Sequence, residues 1–179
     1  MNKDNNQTLV EAAMNGDSRA FEGLVRQYQK PIYNVVFRLL HDAEESRDVT
    51  QTAFIKSYEQ LDSYDSSRKF FSWICRIAIN EAINRQAKWG RETGITDEPG
   101  TDKTDPVYDT ARSELRRDLE RALMMLKPEL RSVVVLKYVN GMNYADIAHT
   151  LDIPEQTVKS RLFDARRKLK EQLRMEAYL

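Results

Sequence analysis

The stretch Tyr144-Ala145-Asp146-Ile147-Ala148-His149-Thr150-Leu151-Asp152-Ile153-Pro154-Glu155-Gln156-Thr157-Val158-Lys159-Ser160-Arg161-Leu162-Phe163 decides the fold class. A short helix runs to Leu151, the residues Asp152-Ile153-Pro154 interrupt it, and a long helix follows. Two helices joined by so tight a turn make a helix-turn-helix candidate. Ile147, Ala148 and Leu151 can meet Ile153 and Val158, and Ala148 is small where the helices must approach. Asp152 holds a turn position often taken by glycine, and aspartate tolerates the left-handed conformation better than most residues.

Rotating the final helix by about 100° per residue divides it. Val158, Leu162, Ala165 and Leu169 fall on one side; Gln156, Lys159, Ser160, Phe163, Arg167 and Lys170 fall broadly opposite. The first set is a core face. The second carries cations and hydrogen-bonding groups that suit phosphates and guanine edges, with an aromatic that can meet a thymine methyl. Phe163 fits either that role or packing against a neighbouring element. Between Thr157 and Arg174 there are 7 basic and 2 acidic side chains, which fits a DNA-reading face or a plain solvated one. Turn, core spacing and basic face together favour DNA.

Working outward, the helix before this unit starts with Pro128 in its first turn and stops near Asn140-Gly141. A further helix spans about Asp109 to Leu126. Upstream, Gly90–Asp109 holds three of the six glycines and two of the five prolines, with little apolar content. It cannot bury enough surface to offset its ordering entropy and reads as a linker. Residues 91–114 carry 3 basic and 7 acidic groups, so this linker is acidic.

The N-terminal half reads as helical throughout. Thr8-Leu9-Val10-Glu11 fits a capping box opening a short first helix. Asp17 or Ser18 caps a second, whose Phe21, Leu24, Val25, Tyr28, Ile32, Val35, Val36 and Leu39 form one apolar stripe. Pro31 inside that stripe predicts a kink or break. Asp42 caps a third helix to about Leu61, a polar loop follows at Asp62–Ser67, and a fourth helix covers roughly Arg68–Trp89. On it Trp73, Arg76, Asn80 and Asn84 share a stripe, which suits either an unpaired base or an ordinary exposed face beside a core Trp. On the third helix Glu44, Asp48 and Gln51 lie near Val49 and Phe54. Acidic groups at a helix start are ordinary capping electrostatics, and a partner-binding face is the alternative.

The expected fold is all-α: two small helical domains, residues 1–92 and 113–179, joined by a flexible acidic linker at 93–112. The chain has 179 residues, 28 basic and 28 acidic side chains, 41% hydrophobic and 31% charged residues, which excludes disordered and collagen-like classes. Met1–Thr8 is polar, and no apolar run approaches the ~20 residues that span a bilayer. One cysteine, Cys75, excludes an internal disulfide, and with two histidines makes a protein-only zinc site a poor expectation. The expectation is a cytoplasmic protein without metal or cofactor. Cys75 is expected to be a buried apolar residue rather than a redox sensor.

Two sets of motifs, in order, resemble extracytoplasmic-function (ECF) sigma factors. Ala43–Phe54, Phe71-Ser72-Trp73-Ile74 and Arg76-Ile77-Ala78-Ile79-Asn80 resemble region two. Leu126-Lys127-Pro128-Glu129, Val133–Tyr138, Tyr144–Ala148 and Thr157–Leu162 resemble region four. The likeness covers nearly the whole chain apart from its ends and the linker.

The resemblance implies roles. The third helix would dock on the clamp helices of core RNA polymerase, with Glu44, Asp48, Val49, Gln51 and Phe54 as the binding residues. The loop after it and the fourth helix would read the melted minus-ten element, with Ser63, Tyr64, Lys69, Trp73, Arg76, Asn80 and Asn84 as candidates. The final helix would enter the minus-thirty-five major groove through Gln156, Thr157, Lys159, Ser160, Arg161, Phe163 and Arg167. The linker would thread the polymerase's active-site and RNA-exit path. An anti-sigma factor is an implied partner, and the free chain is expected to be a monomer. Asp164 stands where family members often carry a basic residue, which puts one DNA contact in doubt. Two other classes compete with this reading. A regulator acting on duplex DNA without polymerase needs a dimer or effector pocket, and none is obvious. A metal-dependent enzyme needs ligand spacing that the scattered carboxylates lack.

Overall fold

The computed structural model describes residues 3–93 and 110–176, with side chains from 7 to 88 and from 117 to 173. Residues 94–109, the bulk of the expected linker, lie outside the described residues. Eight α-helices and no strand occur among the described residues. They are α1 (Lys3–Met14), α2 (Ser18–Leu40), α3 (Ala43–Glu59) and α4 (Phe70–Thr93), then α5 (Thr110–Met124), α6 (Pro128–Val134), α7 (Tyr144–Leu151) and α8 (Glu155–Glu176). The fold is all-α with two helical domains.

Local chemistry sets most boundaries. Asp17 caps α2, its carboxylate accepting from the N–H groups of Arg19 (2.9 Å) and Ala20 (3.3 Å). Asp42 caps α3 through the Glu45 N–H at 2.8 Å. The Asn143 side chain caps α7 through the Asp146 N–H at 2.7 Å. Pro128 sits in the first turn of α6. The C-terminal part of that helix widens into a π-helical turn over Val135–Val139, where the Asn140 N–H reaches back to the Val135 carbonyl at 3.2 Å. Gly141, at φ 66°, then turns the chain toward α7.

One expectation fails outright, and of the kink or break expected at Pro31 the break does not occur. Thr8 does not open α1, which begins at Lys3 and contains Thr8 in its interior. Pro31 does not break α2, which is one helix from Ser18 to Leu40. Ile32, Val35 and Val36 beside it are fully buried, and each such side chain contributes ~1.5–3 kcal/mol, enough together to offset a proline's ~3 kcal/mol.

In the first domain α2, α3 and α4 pack on one another and α1 lies on α2. The buried side of α3 uses small hydroxyl residues, Ser46, Thr50 and Ser57. Each donates to a carbonyl of its own helix, Thr50 to Ser46 at 2.6 Å and Ser57 to Phe54 at 2.8 Å, so polar atoms enter the core already satisfied. In the second domain α8 packs on α5, α6 and α7.

The two domains touch. α7 lies against α4, and α2 meets α5 and α6. Arg131 of α6 is buried; its guanidinium donates to the carbonyls of Leu123 (2.9 Å), Met124 (2.6 Å) and Leu126 (2.8 Å), and to that of Leu39 at the end of α2.

Candidate nucleic-acid and partner interfaces

The helix-turn-helix has the geometry the turn chemistry demands. Asp152 ends α7 at φ 56° and ψ 48°, in the left-handed region, and its N–H bonds to the Ala148 carbonyl. Ile153 N–H also reaches Ala148, at 3.1 Å, and α8 starts two residues later. Val158, Leu162 and Ala165 are buried on the inner side of α8, with Ile147 of α7 in the same core.

The opposite side of α8 faces solvent. Gln156, Lys159, Ser160 and Arg167 are exposed, and Thr157 and Arg161 are half-buried. Phe163 is 63% exposed, so among the described residues it is not packed into a neighbouring element. The ring shares this exposed side with Lys159 and Arg167, four residues before and after it. Asp164 accepts from Arg167 at 3.4 Å, so one of the candidate cations is shared with an acid on the same turn.

The α4 stripe divides along its length. Asn80 and Asn84 are exposed, while Trp73 and Arg76 are half-buried. Trp73 belongs to an aromatic cluster, its ring 5.1 Å from Tyr64 and 5.6 Å from Phe70. Tyr64 departs from its expected place on an exposed loop. It is only 6% exposed, its hydroxyl donates to the Arg68 carbonyl, and burial pushes that hydroxyl's pKa up to about 12. Tyr64 therefore braces the loop from inside. Ser63 is exposed on a 3-10 turn, Leu61–Ser63, and its hydroxyl donates to the Gln60 carbonyl at 2.7 Å. The rest of the loop is ordered by Asp65, which accepts from the Ser67 N–H (3.0 Å), the Ser67 hydroxyl (2.7 Å) and the Arg68 Nε (3.0 Å). The Ser67 bonds, with Arg68 beside them, hold the Asp65 carboxyl below its ordinary range.

Two cations of this region are engaged by the other domain. Lys69 Nζ lies 2.7 Å from Asp146 Oδ2, and Arg76 Nη2 lies 2.5 Å from Asp152 Oδ2. Sequence reasoning named Lys69 and Arg76 as candidates but had no local signal for their partners.

On α3, Glu44, Asp48 and Gln51 are exposed along one stripe, whereas Val49 and Phe54 are buried and hold the helix to the core. The exposed apolar residue on that stripe is Ile55, 53% exposed and four positions after Gln51. The i+4 spacing was the signal that could have found it. The C-terminal end of α3, next to that loop, is pinned to α4 by Lys56 Nζ and Glu81 Oε2 at 2.5 Å. Cys75 is fully buried, and burial pushes its thiol pKa up to about 12. No group of three or more His, Cys, Asp or Glu side chains converges on a metal-sized site among the described residues. No helix among them is long and apolar enough to cross a membrane.

Comparison with known proteins places this architecture. Residues 24–92 match the family described as Sigma-70 region 2, and residues 116–169 match Sigma-70, region 4. The chain is 35% identical to the RNA polymerase sigma-H factor of Pseudomonas aeruginosa, over 93% of this chain and 92% of that one. It is 32% identical to the ECF RNA polymerase sigma factor SigW of Bacillus subtilis (92% and 95% covered) and 34% identical to the ECF RNA polymerase sigma-E factor of Escherichia coli K12 (89% and 90%). Among solved structures, CnrH in complex with the cytosolic domain of CnrY superposes with a TM-score of 0.72 at 25% identity, covering 96% of this chain and 98% of that one. The sigma factor RpoE of Bartonella quintana, solved with the anti-sigma factor NepR, has the same fold at a TM-score of 0.72 and 23% identity, with 86% and 96% covered. Two region matches in order, together with relatives above 30% identity over almost the full length, make this chain a member of the ECF RNA polymerase sigma factor family.

Proposed function

We propose that the chain is a promoter-specificity subunit. It binds core RNA polymerase through the exposed stripe of α3, with Glu44, Asp48, Gln51 and Ile55 at the contact and Val49 and Phe54 beneath it. It reads a melted minus-ten element with Lys69, Trp73, Arg76, Asn80 and Asn84, with Ser63 on the adjoining loop. It reads the duplex minus-thirty-five element with the outer side of α8, through Gln156, Thr157, Lys159, Ser160, Arg161, Phe163 and Arg167. The functional units are residues 1–92 and 113–179, with 93–112 as the acidic connection.

The observation that carries this reading is the division of α8: Val158, Leu162 and Ala165 buried, Lys159, Ser160 and Phe163 offered to solvent from a helix-turn-helix. The electrostatics fit a subunit rather than an autonomous DNA binder. Formal net charge is zero, so phosphate attraction alone is weak. Polymerase holding both domains at fixed spacing raises the effective concentration of each reader at its element. Strand opening then needs no catalytic residue, because binding an unstacked base offsets part of the melting cost. The action is cytoplasmic, where polymerase is. A further partner in this reading is an anti-sigma factor that covers these surfaces in an otherwise monomeric chain; RpoE of Bartonella quintana, which shares this fold, was solved with the anti-sigma factor NepR.

The test is run-off transcription on a pooled promoter library with sigma-free core polymerase, with and without the chain. Discrete start sites are expected only with it. Asn80→Ala is expected to lower the signal at least tenfold while core binding persists. Start sites identical with and without the chain, on an active core that binds it, would sink the proposal.

A further inference from the structure

The described arrangement sets the second domain against the surface assigned to unpaired DNA. Lys69 immediately precedes α4, and Arg76 lies two turns along it on the same side, with Trp73 between them. Asp146 stands in the first turn of α7, and Asp152 ends that helix. The two pairs, 2.7 Å and 2.5 Å, therefore clamp α7 at both its ends along the N-terminal half of α4. Each carboxylate takes the donor that a phosphate oxygen would take.

We propose that α7 is an intramolecular anionic cover for the single-strand-reading face of α4, held by Asp146 on Lys69 and Asp152 on Arg76. This rests on the assignment of α4 to unpaired DNA in the proposed function, and adds its regulation. The cover is one-sided. α7 is the scaffold helix of the helix-turn-helix, so closing it over α4 leaves Lys159, Ser160 and Phe163 of α8 exposed. In the closed state the chain can approach duplex DNA, but Lys69 and Arg76, the N-terminal half of its melted-strand reader, are taken up by α7, while Asn80 and Asn84 stay exposed.

Asp152 carries the argument furthest. It adopts φ 56°, where glycine is the residue of least strain. The fold of the turn alone would be served better by glycine. The carboxylate at that position does something glycine cannot, reaching Arg76 in the other domain. The clamp is also weak by construction: the Lys69 and Asp152 side chains are 62% and 81% exposed, so both pairs are screened by solvent and salt. A weak clamp suits a cover that polymerase or a melted strand must displace.

The test uses the full chain carrying Asp146→Asn and Asp152→Gly. Asparagine is isosteric, and glycine relieves the left-handed turn, so the variant keeps its helices, checked by circular dichroism. Two probes are titrated by fluorescence anisotropy, a short random-sequence single-stranded DNA and a random-sequence duplex, and small-angle scattering reports the radius of gyration. Expected are a larger radius of gyration and single-strand binding roughly three- to tenfold tighter, as removal of a competing closed state predicts, with duplex affinity little changed. An unchanged radius of gyration overturns the clamp, even if single-strand binding tightens, since lost charge repulsion would explain that gain. A larger radius with unaltered single-strand affinity overturns the masking. The proposed function is judged separately, by run-off from the wild-type chain against Asn80→Ala, so either failure here leaves that result readable.

Discussion

The guanidinium of Arg131, on α6, donates to the carbonyl of Leu39, the penultimate residue of α2, ninety-two positions earlier in the chain. The same group closes the C-terminal end of α5 through Leu123, Met124 and Leu126. Helix ends leave carbonyls without intrahelical partners and carry partial negative charge, and a buried planar fork answers several at once. Arg131→Met is expected to destabilise the chain by about 2–4 kcal/mol in chemical denaturation, because the carbonyls it abandons stay buried. Arg131→Lys is expected to recover only part, since an ammonium cannot fork. A loss below about 0.5 kcal/mol, the range of surface substitutions, would mean that water replaces the guanidinium freely.

Glu81 is 14% exposed at its side chain and receives Lys56 at 2.5 Å and Arg85 at 3.5 Å. The Lys56 hydrogen bond leads in holding its carboxyl below the ordinary range, against opposition from burial. A carboxyl lowered by folding stabilises the folded state above its unfolded pKa, ~4.3, and that contribution disappears as pH falls from there through the folded value. Glu81→Gln is expected to cost about 1 kcal/mol at pH 7 and to show a shallower loss of stability between neutral and acid pH. Parallel pH–stability curves for the two proteins would contradict this.

Cys75 is fully buried, and its thiol pKa is raised to about 12 by that burial alone. The thiolate is the reactive species, so both access and ionisation protect it. Titration with a thiol-reactive dye in native buffer is expected to leave it unlabelled, with full labelling in denaturant. Native labelling as fast as a free thiol would show that α4 opens locally.

What the sequence revealed and what it hid follow from how local each signal is. The caps at Asp17 and Asp42 and the turn at Asp152 are written within three or four residues, and all three were legible. The fold class was legible for the same reason. Thr8 misled because a capping-box pattern also occurs inside a helix, and α1 begins at Lys3. Pro31 does not end α2 because burial of Ile32, Val35 and Val36 outweighs a local penalty. Tyr64 sits in a composition that reads as solvated loop, yet its ring fills an aromatic cluster with Phe70 and Trp73, a contact only the folded loop creates. Lys69 and Asp146 are 77 residues apart, and no pattern in either neighbourhood announces the other. The exposed side of α8 with Gln156, Lys159, Ser160, Phe163 and Arg167 was legible by helical period, because a solvent-facing stripe repeats as regularly as a buried one, whereas Thr157, Arg161 and Lys69 came only from the family resemblance.

Phe163 joins stability and recognition in a way one substitution separates. Its ring is 63% exposed, so Phe163→Ala removes little buried surface and is expected to change stability by no more than about 0.5 kcal/mol. Its neighbours on the outer side of α8, Lys159 and Ser160, are untouched by the change. On the proposed reading the ring meets a thymine methyl or sugar edge in the major groove, and its loss removes ~1–3 kcal/mol of discrimination at one base pair. Run-off from a promoter library is therefore expected to fall roughly tenfold, with the enriched minus-thirty-five sequence relaxed at a single position and the minus-ten sequence unchanged. Lys159→Ala, by contrast, is expected to weaken all promoters together and to reduce the salt dependence of binding, as loss of a phosphate contact does. A Phe163→Ala protein that unfolds would place the ring in the core, and one that transcribes every promoter as before would remove it from the reading face.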